Sequence, residues 1–228
     1  RRAEILDSRV RGTTLLAEGL AALRNPPRVL LSASAVGYYG DRREEALPET
    51  APSGTGFLAE VVRAWEAAAG PAASAGIRTV LMRLGVVISA RGGMLEKLKW
   101  PFSLGLGGPI GTGEQGLSWI ALDDALYAMH RLLHDETIRG PVNVVAPAPV
   151  AQRDFARALA RTLHRPAFFP LPKAVVERVF GEMGEEVLLS GQRAVPKVLE
   201  DAGFRWAHPA LEDALAHELG REPVHGGR

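Results

Sequence analysis

Ser32, Ser34, Tyr38 and Tyr39 stand close together after a short apolar run, Arg28-Val29-Leu30-Leu31. Hydroxyls and phenols in such a place can orient a reacting oxygen or pass a proton to it. The run has the pattern of a strand buried in a parallel sheet. In doubly wound sheets ligands bind beyond the carboxyl ends of the strands, which is where Ser32, Ser34 and Tyr38 or Tyr39 would be delivered. A polar turn closing a strand would use the same residue types, so locally both readings stay open.

Other candidates are weaker. His130 and His134 stand four apart on an expected helix. No third ligand has suitable spacing, and the His-Glu-x-x-His pattern is absent, so no metal site is expected. Ala33-Ser34-Ala35-Val36-Gly37 lacks the first glycine of a Gly-x-Ser-x-Gly elbow and the spacing to the second. Glu44, Glu45 and Glu49 fall in a loop and read as solvated carboxylates. Asp123 and Asp124 read as residues that start a helix. Residues 105–116 are glycine-rich, a tight turn or a lid, without the Gly-Lys-Ser/Thr of a P-loop.

The elements that must hold these residues alternate. Apolar positions at helical spacing cover residues 4–24, and Asn25-Pro26-Pro27 stops that helix. A strand over 28–32, a loop over 40–56, a helix from Phe57 through Trp65 and a strand over 79–82 follow. A short helix over 94–102, a strand over 117–121, a helix to His134 and a strand over 141–145 come next. Helix and strand in alternation imply an α/β fold with a parallel sheet. Beyond Pro147-Ala148-Pro149 the pattern turns helical, at 152–163, 173–180, 185–189, 196–201 and 211–219. Residues 166–172 form an apolar connector and 224–228 a frayed end. The expected division is 1–149, with a substrate-side insertion at 89–121, and a small helical domain at 150–228.

Composition narrows the function. A net charge of +1 over 228 residues gives no electrostatic case for nucleic acid or an anionic membrane surface. The chain has no cysteine, which rules out disulfides and thiolate chemistry and fits a reducing cytoplasm. No apolar run reaches membrane-spanning length.

The stretch Ser32-Ala33-Ser34-Ala35-Val36-Gly37-Tyr38-Tyr39-Gly40-Asp41 resembles extended short-chain dehydrogenase/reductases, the NAD(P)-dependent sugar-nucleotide epimerases and their relatives. Asp7-Ser8-Arg9-Val10-Arg11-Gly12-Thr13 is similar to the family's Asn-x-x-Gly-Thr helix, with Arg9 at the Asn position. Arg83-Leu84-Gly85-Val86-Val87 is similar to the segment that closes over the nicotinamide. Phe57-Leu58-Ala59-Glu60-Val61 with Trp65-Glu66 brings the resemblance closest to an atypical subgroup, the "epimerase family" proteins. So do Leu104-Gly105-Leu106-Gly107-Gly108-Pro109-Ile110-Gly111, Trp119-Ile120, Pro170-Leu171-Pro172 and Leu189-Ser190-Gly191-Gln192.

The resemblance implies a Rossmann-like, doubly wound parallel sheet with a small helical C-terminal domain. It implies that the strand, glycine-rich turn and helix that hold the pyrophosphate precede the present chain. It places Ser34 at the catalytic hydroxyl position and leaves Tyr38 or Tyr39 as a substitute phenol. Phe57 and Val61 stand where the family's Tyr and Lys belong, and Arg63 lies about 240° around the helix from Phe57. Arg9, Ser32, Ala33, Arg83, Gly85 and Val86 become the expected cofactor contacts. The cofactor is expected to be NADP(H) ahead of NAD(H). The expected partner is a small carbonyl, hydroxyl or sugar-nucleotide substrate, with no nucleic acid or membrane, in a cytoplasmic monomer or homodimer. The expected function is an oxidoreductase or epimerase with altered proton chemistry. A cofactor-binding regulatory module without catalysis is the alternative.

Overall fold

The computed structural model describes residues 2–166 and 191–221. Pro170-Leu171-Pro172, the helices expected at 173–180 and 185–189, Leu189-Ser190 and the end at 224–228 lie outside the described residues. Helix α1 (Arg2–Ala21) leads into strand β1 (Val29–Ala35), a tight helical turn (Val36–Tyr39) and strand β2 (Ala46–Leu47). Helices α2 (Phe57–Ala68) and α3 (Gly70–Ser74), then β3 (Arg78–Leu84) and β4 (Val86–Ile88), follow. Next come α4 (Gly93–Ser103), β5 (Gly116–Leu117), β6 (Trp119–Ala121), α5 (Leu122–His134) and β7 (Gly140–Val144). Strand β8 (Val150–Ala151), α6 (Gln152–Thr162), β9 (Arg193–Ala194), α7 (Lys197–Asp201) and α8 (Leu211–Leu219) complete the described chain.

Strands β1, β3 and β7 lie side by side in that order, all parallel. Helices cover both faces. Ala17 of α1 and Ala69 and Ala72 beside α3 pack on Leu30 and Leu81. Ala125, Ala128 and Leu132 of α5, with Leu199 of α7, pack on Val80, Met82, Val142 and Val144 of the opposite face. The expected α/β, doubly wound arrangement is therefore present, and alternation along β3 sends successive side chains to the two layers. A second core joins Leu95, Leu98 and Phe102 of α4 to Phe155 and Leu159 of α6 and Leu215 of α8. The 89–121 segment thus shares its core with the C-terminal helices.

Several local expectations shift. The strand over 28–32 runs on to Ala35, so its last residues are in the sheet and not in a turn. The 40–56 loop contributes β2, which pairs in parallel with β9. Gly70-Pro71, a pair expected from sequence to end or break the helix from Phe57, instead starts a helix, because proline near the first helical position loses no hydrogen bond. The strand over 117–121 divides into β5, which pairs with β8, and β6, which pairs with β4. Asp123 and Asp124 stand in the first turn of α5 as expected, but the N-cap position is Ala121. The fully buried Asp124 instead accepts bonds from the backbone N–H groups of Ala207 and His208, at 2.6 and 3.0 Å. No helix among the described residues is long and apolar enough to cross a membrane.

Candidate functional site

The sheet register decides where the chemistry-bearing side chains go. Ser34, Arg83 and Asn143 stand side by side on β1, β3 and β7. Their row faces α2. Arg83 makes a two-pronged ion pair with Glu66 of α2, Nε to Oε1 at 2.8 Å and NH2 to Oε2 at 3.0 Å. Ser34 Oγ donates to the same Glu66 Oε1 at 2.6 Å. Tyr39 accepts a bond from Arg83 NH1 at 3.0 Å and donates to Asn143 Oδ1 at 2.7 Å. The Asn143 amide donates to the carbonyls of Leu47 and Val195, and its backbone N–H donates to Glu49 Oε1 at 3.0 Å.

This network is buried except at Glu66, which is half-buried on α2. Ser34 is 2% exposed, Arg83 3%, and Tyr39 and Asn143 are fully enclosed. Burial works against the charge on Arg83, but its bonds to Glu66 and Tyr39 outweigh that and push it up, so it stays a cation. Burial raises the Tyr39 phenol, against the opposing pull of Arg83. Burial also raises Glu49, whose Oε1 holds the backbone N–H groups of Asn143 and Val198 while Oε2 is enclosed without a hydrogen-bond partner among the described residues.

One residue further along the strands the picture reverses. A cavity of about 220 Å³ opens at the carboxyl ends of β1 and β3. Ala35, Val36 and Gly37 form one wall, Leu58 and Val62 of α2 a second, and Leu84, Gly85 and Val86 a third. Gln115, Gly116, Leu117, Ser118, Gln152 and Gln192 close the far side. Among the described residues no ionisable side chain lines it. Its polar side chains are tied to backbone. Gln152 Oε1 accepts from Ile110 N–H, Gln192 donates to Gly40 O, and Ser118 Oγ donates to Gln192 O and accepts from Ala194 N–H.

Glycine matters at the β3–β4 turn. A Cβ on Gly85 would fall 2.7 Å from the Ser118 carbonyl and 2.9 Å from Val145 Cγ1. The glycine-rich 105–116 loop is tightly turned, held by Arg153 N–H on Gly113 O and Gln152 N–H on Gln115 O. A larger open groove of about 470 Å³ lies between α2, α3 and the amino ends of β3 and β7. It is at the wrong end of the sheet for the ligand position typical of such folds.

Of the residues singled out from sequence, Gly85 and Val86 line the cavity. Ser34 and Arg83 lie in the network beneath it, and Ser32 is buried on the same face of β1. Ala33 is exposed and, by alternation, points to the opposite face. Tyr38 lies against the Arg83 guanidinium, 3.5 Å from its ring centre, and edge-on to Tyr39. Arg9 lies over Trp65, 5.3 Å from its ring centre. Phe57 carries the Arg2 guanidinium at 4.8 Å and Val61 is buried. Their neighbours Leu58 and Val62 are the α2 residues that reach the cavity. The sequence reading missed Ala35, Leu58, Val62 and Gln192 at the cavity and Glu66 and Asn143 below it. Strand alternation counted from Ala35, and the four-residue spacing of Leu58 and Val62, were the available signals.

Similarity to known proteins follows the same outline. An epimerase family protein of Mycobacterium bovis is 42% identical over 215 residues, 94% of this chain and 71% of that protein. The chain belongs to the epimerase family. Residues 171–218 match a family described as a domain of unknown function, DUF1731. The crystal structure of the human epimerase family protein SDR39U1 with NADPH superimposes with a TM-score of 0.90 at 34% identity, covering 96% of this chain and 74% of that one. A nucleoside-diphosphate sugar epimerase from Corynebacterium glutamicum gives a TM-score of 0.81 at 40% identity, covering 98% of this chain and 44% of that one. The fold is thereby that of the Rossmann-type short-chain dehydrogenase/reductases.

Proposed function

We propose that this epimerase-family chain seats the nicotinamide end of NADP(H) and a small neutral substrate in the cavity at the carboxyl ends of β1 and β3. The observation that carries this reading is the cavity lining: among the described residues it is apolar on three sides and amide-bearing on the fourth, without a charged group. An uncharged aromatic ring is matched by Ala35, Val36, Leu58, Leu84 and Val86, which would exclude water around it. Gln115, Gln152 and Gln192 lie opposite, where neutral carbonyl or hydroxyl oxygens could be held. The human relative solved with NADPH supports NADP(H) ahead of NAD(H). When bound, the nicotinamide would accept or deliver a hydride. Ser34 and Tyr39 do not supply the accompanying proton, since Glu66 and Asn143 already take their hydroxyl hydrogens. Tyr38 is outside the cavity lining, so water entering beside the Gln residues would be the proton source in this reading.

The lack of an ionisable side chain among the described residues of the cavity wall also favours the second reading, a cofactor-binding module without turnover. One experiment separates the two. Full-length protein is titrated with NADPH and then offered a panel of small carbonyl compounds while nicotinamide absorbance is followed. Binding with oxidation of NADPH supports the oxidoreductase. Binding without turnover across the panel supports the module. No binding of either nicotinamide dinucleotide overturns both.

A further inference from the structure

A second constellation lies outside the cavity, where the C-terminal segment meets the start of α5. One ligand atom from each of Asp123, His208 and His217 lies within 4.8 Å of the other two. We infer that these three side chains form a binding site for one divalent transition-metal ion of the zinc type, which clamps α8 and the segment before it onto α5.

The donors come from three separately anchored places. Asp123 is in the first turn of α5 and His217 in the last turn of α8. His208 precedes α8, and its backbone N–H is held by buried Asp124, the residue next to Asp123. One carboxylate therefore fixes His208 beside the other. His217 Nε2 is already 3.0 Å from Asp123 Oδ2. The His208 and His217 rings lie face to face at 4.3 Å and 27°.

Tetrahedral bonds of about 2.0–2.1 Å put ligand atoms about 3.3 Å apart. The Asp123–His217 pair nearly has that spacing at 3.0 Å, and the site requires the half-buried His208 ring to turn so that its nitrogen comes from within 4.8 Å to the same spacing from both. Two imidazoles and one carboxylate suit zinc, copper, nickel or cobalt, not the all-oxygen preference of calcium or magnesium. Beside two of the donors, Asp123 and His217, a pocket of about 280 Å³, lined also by Ser89, Arg91 and Glu218, leaves room for water at a fourth position. Arg91 opposes a cation there, and the Glu218 carboxylate, bonded through Oε2 to Ala90 N–H, offsets it.

The test uses the full chain, freed of metal with a chelator and titrated with Zn²⁺ alone at neutral pH. One ion per chain is expected. The melting temperature should rise by about 5 °C or more when free Zn²⁺ is a hundred times its dissociation constant. His208→Ala, His217→Ala and Asp123→Asn should each weaken binding at least tenfold, with unchanged circular dichroism. His130→Ala/His134→Ala should keep it, although those two rings also lie 4.3 Å apart. In the wild type, substoichiometric Co²⁺ should broaden the proton resonances of His208 and His217 and leave those of His130 and His134 sharp, a reading that needs no variant to fold. Equal binding in the His208→Ala and His217→Ala variants, or broadening confined to His130 and His134, would overturn the site. So would the lack of Zn²⁺ binding tighter than millimolar, which would leave Asp123 and His217 a simple hydrogen-bonded pair.

Discussion

Two adjacent rows of the same sheet behave in opposite ways. Ser34, Arg83 and Asn143 form a polar row enclosed beneath α2. Ala35, Leu84 and Val144, one residue on, form an apolar row, and its first two members line the cavity. A one-residue step along a strand changes the face, so the two rows cannot exchange roles without a register shift. The residues with reactive side chains are those committed to one another. The candidate site is built, among the described residues, from side chains without an ionisable group, and its one hydroxyl, Ser118, is tied to backbone. Its chemistry must then come from what it binds.

The largest test of that contrast removes the charge at the centre of the polar row. Arg83→Met would leave the Glu66 carboxylate without its partner and should cost about 3–5 kcal/mol, read by urea denaturation. Tyr39→Phe deletes one hydroxyl that both accepts and donates. It should cost about 1–3 kcal/mol and leave NADPH affinity within a factor of about two. In the apolar row the sign of the contrast inverts. Ala35→Leu fills the cavity and should weaken NADPH binding at least tenfold, about 1.4 kcal/mol, with a smaller change in unfolding free energy than Tyr39→Phe.

The smallest effect is a dependence on pH. Burial raises Glu49 above its unfolded value of about 4.3, so the folded protein holds that proton more tightly. A carboxyl raised in this way contributes fully below its unfolded value and loses that contribution as pH rises through the folded value. Glu49→Gln has no such proton. The melting temperature of the wild type relative to Glu49→Gln should therefore fall as pH is raised from about 4 toward neutrality. A rising difference would mean that Glu49 is stabilised as an anion.

The sheet was legible because its signals are local and periodic. Val80 and Met82 alternate with Leu81 and Arg83, and Leu211, Ala214 and Leu215 carry a helical period that ends at Gly220. The site was less so. Hydroxyls at a strand's end mark where a site should be, but not which face each one takes. That face depended on β1 continuing to Ala35, three residues past its expected end. The same one-residue offset separates Phe57 and Val61 from Leu58 and Val62 on α2. The partners that claimed the reactive groups are far away in the chain: Tyr39 meets Asn143, and Asp124 meets the backbone of Ala207 and His208. No spacing rule connects such pairs. Glu66 lay within the Trp65-Glu66 motif, yet its bond to Ser34 needed the packing of α2 on β1 to be seen.

The contrast between the rows can be read in one titration series. NADPH fluorescence is followed as full-length wild type, Ser34→Ala and Ala35→Leu proteins are added. Ser34→Ala should bind within about threefold of the wild type, and Ala35→Leu should lose at least tenfold. If Ser34→Ala abolishes binding while Ala35→Leu leaves it intact, the polar row faces the cofactor and this assignment of the two rows is wrong.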